Sequence, residues 1–270
     1  MPVLAVTREI GSLGTHVAHK VAKRLGYDVV RQEIIAEAAR VYEADPDRLV
    51  ATVEAKPRAF EAGKVAARRH FAFVAAEVLN AALQDDVVVL GRWSTLLLRD
   101  IGHVLRVRVC APVELRAARI ARRFKVSAEE AAHRIRRSDE GIRARIRQFF
   151  DVEWDDPQHY DLTINTACVG VDEAADLLAS ALRQPSRRAT DLSRAALWDA
   201  ALAARVRAAL KAHPDTVRAD ITLRCRGGRL ELTGTVKDAE TRDTVERLAS
   251  IRAGIGAVDN QLIVTGIPTT

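Results

Sequence analysis

The chain opens on an uninterrupted apolar run, Val3-Leu4-Ala5-Val6, which suits a strand buried on both faces of a parallel sheet. Gly11 and Gly14 follow. Val17, Val21 and Leu25 then fall on one face of a helix that Gly26 terminates. The pattern continues with a short extended piece at 27–30, a helix at 31–42 and a turn into another helix at Asp45-Pro46-Asp47. Residues 60–83 predict a long alanine-rich helix with Phe60, Phe71, Phe73, Val74, Val78 and Leu79 as its bulky side chains. A second buried strand, 87–90, ends in Gly91-Arg92, and a helix is expected over 93–100. In a third strand, 103–112, Arg106 and Arg108 alternate with apolar residues. Helices are expected at 114–124 and from the capping box Ser127-Ala128-Glu129-Glu130 onward, with Phe149, Phe150 and Trp154 as an apolar patch behind them. Residues 160–166 predict the last strand and 171–182 its closing helix.

Strands alternating with helices predict an α/β fold, a parallel sheet flanked by helices, over residues 1–183. A polar stretch from Gln184 to Thr190 breaks the periodicity, and we read 184–196 as a linker. The pattern then changes to an amphipathic helix at 198–210, two strands joined at Gly227-Gly228, a helix opened by Asp238 and a strand at 257–264. That order describes a small α+β domain over 197–265, with a tail at 266–270.

Composition adds limits to this picture. In 270 residues, 48% are hydrophobic and 29% charged, which is globular rather than disordered. No apolar stretch approaches the ~20 residues needed to span a bilayer, and no basic segment leads into an apolar signal core at the N-terminus. Cys110, Cys168 and Cys225 are scattered and outside any metal spacing, so they read as reduced thiols of a cytoplasmic protein without a metal site of their own. The net charge is +6, and the segment 99–147 alone carries fourteen Lys and Arg against six Asp and Glu. Such an excess suits phosphate groups or a solvated helix face. It lacks aromatic interleaving, which argues against nucleic acid.

Strand, glycine turn and helix form the layout of a phosphate-binding loop, in which backbone N–H groups and a positive helix end meet an anion. A plain strand-to-helix turn would look the same. The usual loop places a lysine after its last glycine and a hydroxyl residue next; here Thr15 and His16 stand there. Arg92, at a strand end, suits either a phosphate or a structural pairing with an acid or helix end.

In Thr7-Arg8-Glu9-Ile10-Gly11-Ser12, Leu25-Gly26-Tyr27, Gly91-Arg92, Ala111-Pro112 with Arg116 and Arg119, and Trp154-Asp155-Asp156-Pro157 through Asn165-Thr166, residues 3–183 resemble the cytidylate kinase-like family. The resemblance implies a nucleoside-monophosphate kinase fold and phosphoryl transfer from ATP with Mg²⁺ to CMP, dCMP or a similar monophosphate. Gly11, Ser12 and Gly14, with Thr15 and His16, would wrap the donor phosphates, while Arg92 and Arg31 would lie at the acceptor. Arg116, Arg119, Arg137 and Arg143 would supply charge to the transition state, with Asp139 orienting a lid arginine or a metal-bound water. Arg8 is the candidate replacement for the missing lysine.

The chain departs from that pattern at Thr15, at Trp93 where an aspartate is usual, at Arg31 where an acid is common and at Glu140 where a lysine is common. A catalytically impaired nucleotide sensor or binding protein is therefore the alternative reading. Gly228, Leu230, Leu232, Gly234 and Val236, then Ala249, Gly254, Ile255, Val258, Asn260, Leu262 and Val264, resemble a BON domain. This implies a binding or regulatory module with a protein or phospholipid partner.

Overall fold

The computed structural model describes residues 2–54, 64–253 and 258–266. The first half is built from β1 (Val3–Arg8), α1 (Gly14–Leu25), β2 (Asp28–Val30), α2 (Gln32–Val41), α3 (Pro46–Glu54) and α4 (Lys64–Ala82). There follow β3 (Val87–Leu90), α5 (Ser94–Leu97), β4 (Val104–Cys110), α6 (Val113–Phe124), α7 (Ala128–Phe150), β5 (Leu162–Asn165) and α8 (Val171–Leu182). All five strands pair in parallel, in the order β2-β3-β1-β4-β5. Chain direction across the sheet reverses beside β1. Ligands of open parallel sheets bind at the carboxyl ends of strands at such a reversal.

The apolar runs do what their lack of alternation implies. Val3 to Val6 and Val87 to Leu90 are buried, facing α1 and α8 on one side of the sheet and α4 with its neighbours on the other. β4 alternates as its sequence does: Arg106 reaches Asp161 at 2.9 Å, and Arg108 reaches Glu9 at 2.7 Å and Asp155 at 2.8 Å. The helix expected over 93–100 is only the single turn of α5. Phe149 and Phe150 lie inside the last turn of α7 rather than after it, stacking on Phe71 and Trp93. Phe60 lies outside the described residues.

The second half contains α9 (Asp191–Ala212), β6 (Asp220–Arg226), β7 (Arg229–Val236), α10 (Ala239–Ala253) and β8 (Val258–Val264). β6 and β7 form the expected hairpin, and Gly227 and Gly228 both take positive φ (57° and 76°), the backbone that a tight two-residue turn demands. β8 adds parallel to β7. Gly254, Ile255, Ala257 and the tail from 267 lie outside the described residues.

One element begins elsewhere than its periodicity suggests. α9 starts at Asp191, seven residues before Trp198 and inside the stretch expected as linker. Thr190 and Ser193 cap it reciprocally, each side chain accepting the other's backbone N–H. Serine does here what Glu or Gln does in the usual box. Leu197, Ala201, Ala204 and Ala208 of α9 then pack into the core around α4, while Leu202, Val206 and Leu210 pack under the β6–β8 sheet. A helix apolar on two sides is one shared between two cores.

Candidate functional site

The turn between β1 and α1 is held in a shape few sequences could take. Gly11 has φ +79°, and a Cβ there would meet the Arg116 carbonyl at 3.0 Å. Leu13 sits at φ 63°, a left-handed conformation that apolar residues rarely adopt and that recurs at ligand clamps. A Cβ on Gly14 would lie 2.7 Å from the Arg8 Cβ, so this glycine lets α1 begin directly against the end of β1. No side chain caps α1, which leaves its positive end toward the turn.

Ser12 is buried, and its hydroxyl donates to the Glu9 carbonyl at 2.8 Å. It shapes the turn rather than facing outward. His16 is exposed. The lysine position of the usual loop holds Thr15, whose hydroxyl accepts Arg8 Nε–H at 2.9 Å. Arg8, from the strand before the turn, thus lays its guanidinium beside the start of α1.

Arg8 also lines a cavity of about 240 Å³ at the carboxyl ends of β1 and β3, together with Arg31 and Arg92. Burial and then its neighbours Arg31 and Arg92 push the Arg8 guanidinium down to about 9, which still leaves it charged at neutral pH. Arg92 is 12% exposed and pairs with Glu54 at 3.2 Å through Nη2. Its Nε and Nη1 are buried without a hydrogen-bond partner among the described residues. One arm of Arg92 is thus paired with an acid, and two of its donors are open. The Thr7 hydroxyl donates to the Arg92 carbonyl at 3.4 Å and accepts from Trp154 Nε1 at 3.3 Å, fixing the backbone from behind. The rest of the cavity is aliphatic, with Ile34 and Ile35 from α2, Val50 and Val53 from α3, and Val74 and Val78 from α4. Leu90, Gly91 and Trp93 complete the lining.

The other candidate residues are placed apart from this cavity. Arg116 is 3% exposed and takes both Asp139 oxygens, at 2.8 and 3.2 Å, with the Glu9 carboxylate 3.3 Å away. Burial raises the Glu9 carboxyl, which accepts the Ala111 N–H and faces the Arg116 and Arg108 guanidiniums. This network ties the turn to α6 and α7, with both Asp139 oxygens accepting from Arg116. Arg119 braces the same turn, donating to the Gly11 carbonyl at 3.2 Å and to the Thr166 hydroxyl and carbonyl at 2.9 Å each. Arg143 pairs with Asp155 at 2.7 Å, and Arg137 lies exposed on α7.

Sequence reasoning missed Glu54, whose helix carries no mark of its role. It also missed the use of Glu9 as a buried counter-ion and Thr166 as a brace. Only the nearness of Glu9 to two glycines hinted at its place.

Gly11, Gly14 and the uncapped α1 fit the phosphates of a nucleotide. Among the described residues no three metal-ligating side chains cluster, so Mg²⁺ would be carried largely by nucleotide phosphates and water. When bound, the metal neutralises charge on the transferring group.

Comparison with known proteins agrees with this geometry. Residues 3–167 match the cytidylate kinase-like family and residues 199–266 match the BON domain. The cytidylate kinase of Methanopyrus kandleri is 30% identical over 111 residues, 38% of this chain and 58% of that enzyme. In the cytidylate kinase of Desulfurococcus amylolyticus the match is 31% over 96 residues, so the chain spans little more than half the length of these two relatives. A cytidylate kinase of Saccharolobus islandicus is 25% identical over 186 residues, 68% of this chain and 93% of the relative. The crystal structure of an uncharacterized protein from Eubacterium ventriosum shares the fold, with a TM-score of 0.52 at 20% identity over 67% of this chain and 98% of that one. The chain belongs to the cytidylate kinase-like family, with a BON domain following the kinase-like half.

Proposed function

We propose that the kinase-like half transfers the γ-phosphoryl group of ATP, with Mg²⁺, to a monophosphate acceptor, CMP and dCMP being the acceptors that family membership puts first. The observation that carries this reading is the convergence of Arg8, Arg31 and Arg92 on one cavity beside the glycine turn. Phosphoryl transfer asks little covalent chemistry of the protein and much positioning and charge. Three guanidiniums next to a phosphate-wrapping turn supply both, with Arg8 standing in for the absent lysine. The BON domain acts as a binding or regulatory module toward a protein or phospholipid partner. A cytoplasmic setting accords with ATP as donor and with three free thiols.

The test is ADP release from ATP and Mg²⁺ across ribo- and deoxynucleoside monophosphates and simple phosphomonoesters. Acceptor-stimulated turnover should fall by roughly 10³ or more in Arg92→Ala, as for other removed phosphate-clamping cations. A second reading, a nucleotide-binding protein without turnover, is favoured by Thr15 at the usual lysine position and by the exposed His16 at the usual hydroxyl position. ATP binding with no stimulation by any acceptor would select it.

A further inference from the structure

The walls of the arginine cavity carry information about the body of the acceptor. We infer that this cavity takes a phosphomonoester with a compact apolar body in preference to a pyrimidine nucleotide; the inference rests on the phosphoryl-transfer reading and narrows its substrate class.

Charge balance around the three arginines selects the anion. Arg8, Arg31 and Arg92 bring three positive charges and Glu54 one negative, a net of two. A phosphomonoester carries about −1.5 to −2 at neutral pH. The buried Nε and Nη1 of Arg92 are donors awaiting an acceptor, and phosphate oxygens suit a guanidinium fork. An anion at this point also offsets the repulsion from Arg31 and Arg92 that adds to burial in lowering Arg8.

The remaining surface fixes the body. Away from the arginines the described walls are aliphatic and aromatic, contributed by α2, α3, α4 and the end of β3. Trp93 is 2% exposed and is locked against Phe71 and Phe149, with ring centroids 5.2 and 5.4 Å away, so it cannot swing aside to admit polar groups. A cytosine edge presents an amino donor beside acceptors. Among the described residues the cavity offers that amino group one acceptor side chain, Glu54, whose Oε1 already accepts from Arg92. Burying a base edge without partners is penalised, whereas an apolar ring or chain gains from the same walls. At about 240 Å³ the space falls below the ~300–1,000 Å³ of ordinary small-molecule sites, which calls for a small body.

The full-length chain can be titrated calorimetrically with inorganic phosphate, phenyl phosphate and CMP. Phenyl phosphate should bind at least about tenfold more tightly than inorganic phosphate, the discrimination an apolar pocket gives for a few carbon atoms, and CMP no more tightly than inorganic phosphate. Val53→Thr, which adds a hydroxyl at nearly constant shape, should erase most of the phenyl advantage and leave inorganic phosphate unchanged. CMP binding more tightly than phenyl phosphate would overturn the inference and leave the kinase reading standing. Equal binding of phenyl phosphate and inorganic phosphate would also overturn it, because the walls would then contribute nothing. Failure of all three anions to bind would remove the anion site, and both readings with it.

Discussion

Two partly or wholly buried arginines, Arg8 and Arg116, differ in the company they keep. Arg116 has its charge answered by Asp139 and Glu9 and its remaining donors by the Ala111 and Ile10 carbonyls. Arg8 has a hydroxyl and, around the cavity, two further cations. The folded state therefore holds the Arg8 proton less tightly than the unfolded chain does. Carrying the charge lowers stability at neutral pH, and that penalty fades only as pH climbs past about 9. Arg8→Gln keeps a partner for Thr15 while removing the charge. It should stabilise the ligand-free protein by roughly 0.5–2 kcal/mol, as relief of a strained functional site does. The same change should weaken ATP binding and turnover by about 10² or more. Thermal unfolding and ATP titration of one preparation check both halves; a variant less stable than wild type would make Arg8 a structural residue. From the sequence both arginines were candidates for the reaction. Their difference was not legible, because it depends on where Asp139, 23 residues beyond Arg116, returns in space.

At the scale of elements, what was legible depended on whether one face or two were buried. β1, β3 and α1 declare themselves because their patterns have one simple period, and the glycine turn sits where those patterns change. α9 does not. Its first turn exposes Leu192 at 85%, so its start resembles a linker, and only the Thr190–Ser193 reciprocal cap marks it as helical. That first turn is anchored by tertiary contacts, with Arg194 on Asp85 at 2.6 Å and Ser193 Oγ 2.8 Å from His103 Nδ1. The serine hydroxyl also lies 3.0 Å from the Thr190 carbonyl. Burial, and Arg194 beside it, lower the His103 pKa against the opposing pull of Asp85, which favours the neutral ring in the fold. As pH falls through about 6.5 the unfolded chain takes up a proton that the folded chain refuses, so stability drops toward acid pH. The fall in melting temperature from pH 7.5 to 5.5 should be smaller in His103→Gln than in wild type. It should not vanish, because the His70 pKa is lowered in the same direction. An unchanged fall would show that His103 is not part of the acid sensitivity.

On the scale of the molecule, α9 is the helix that the two halves share. α4 lends Val74 and Val78 to the arginine cavity and packs on α9, and α9 is also the helix beneath the β6–β8 sheet. Asp199, on the BON side of α9, accepts the Gly227 and Gly228 N–H groups at 2.6 and 2.8 Å and so ties the hairpin turn to the same helix. Among the described residues, the cavity wall and the sheet are joined through the packed helices α4 and α9. Binding free energy gained by one half must then register in the stability of the other, since a ligand of the native state stabilises whatever unfolds with it. The intact chain should unfold in one calorimetric transition, and phosphate bound at the arginine cavity should raise it as a whole. Ala204, 4% exposed on the α4 side of α9, is the position at which to cut the connection. Ala204→Glu forces a carboxylate between the helices, a change in the class that destabilises by several kcal/mol. The BON core contains Leu202, Val206, Leu230 and Leu232, not Ala204, so it should survive. The expected result is two separated transitions, of which only the lower responds to phosphate. A wild-type protein that already melts in two steps, with phosphate moving one alone, would show that the shared helix joins the halves in space without coupling them.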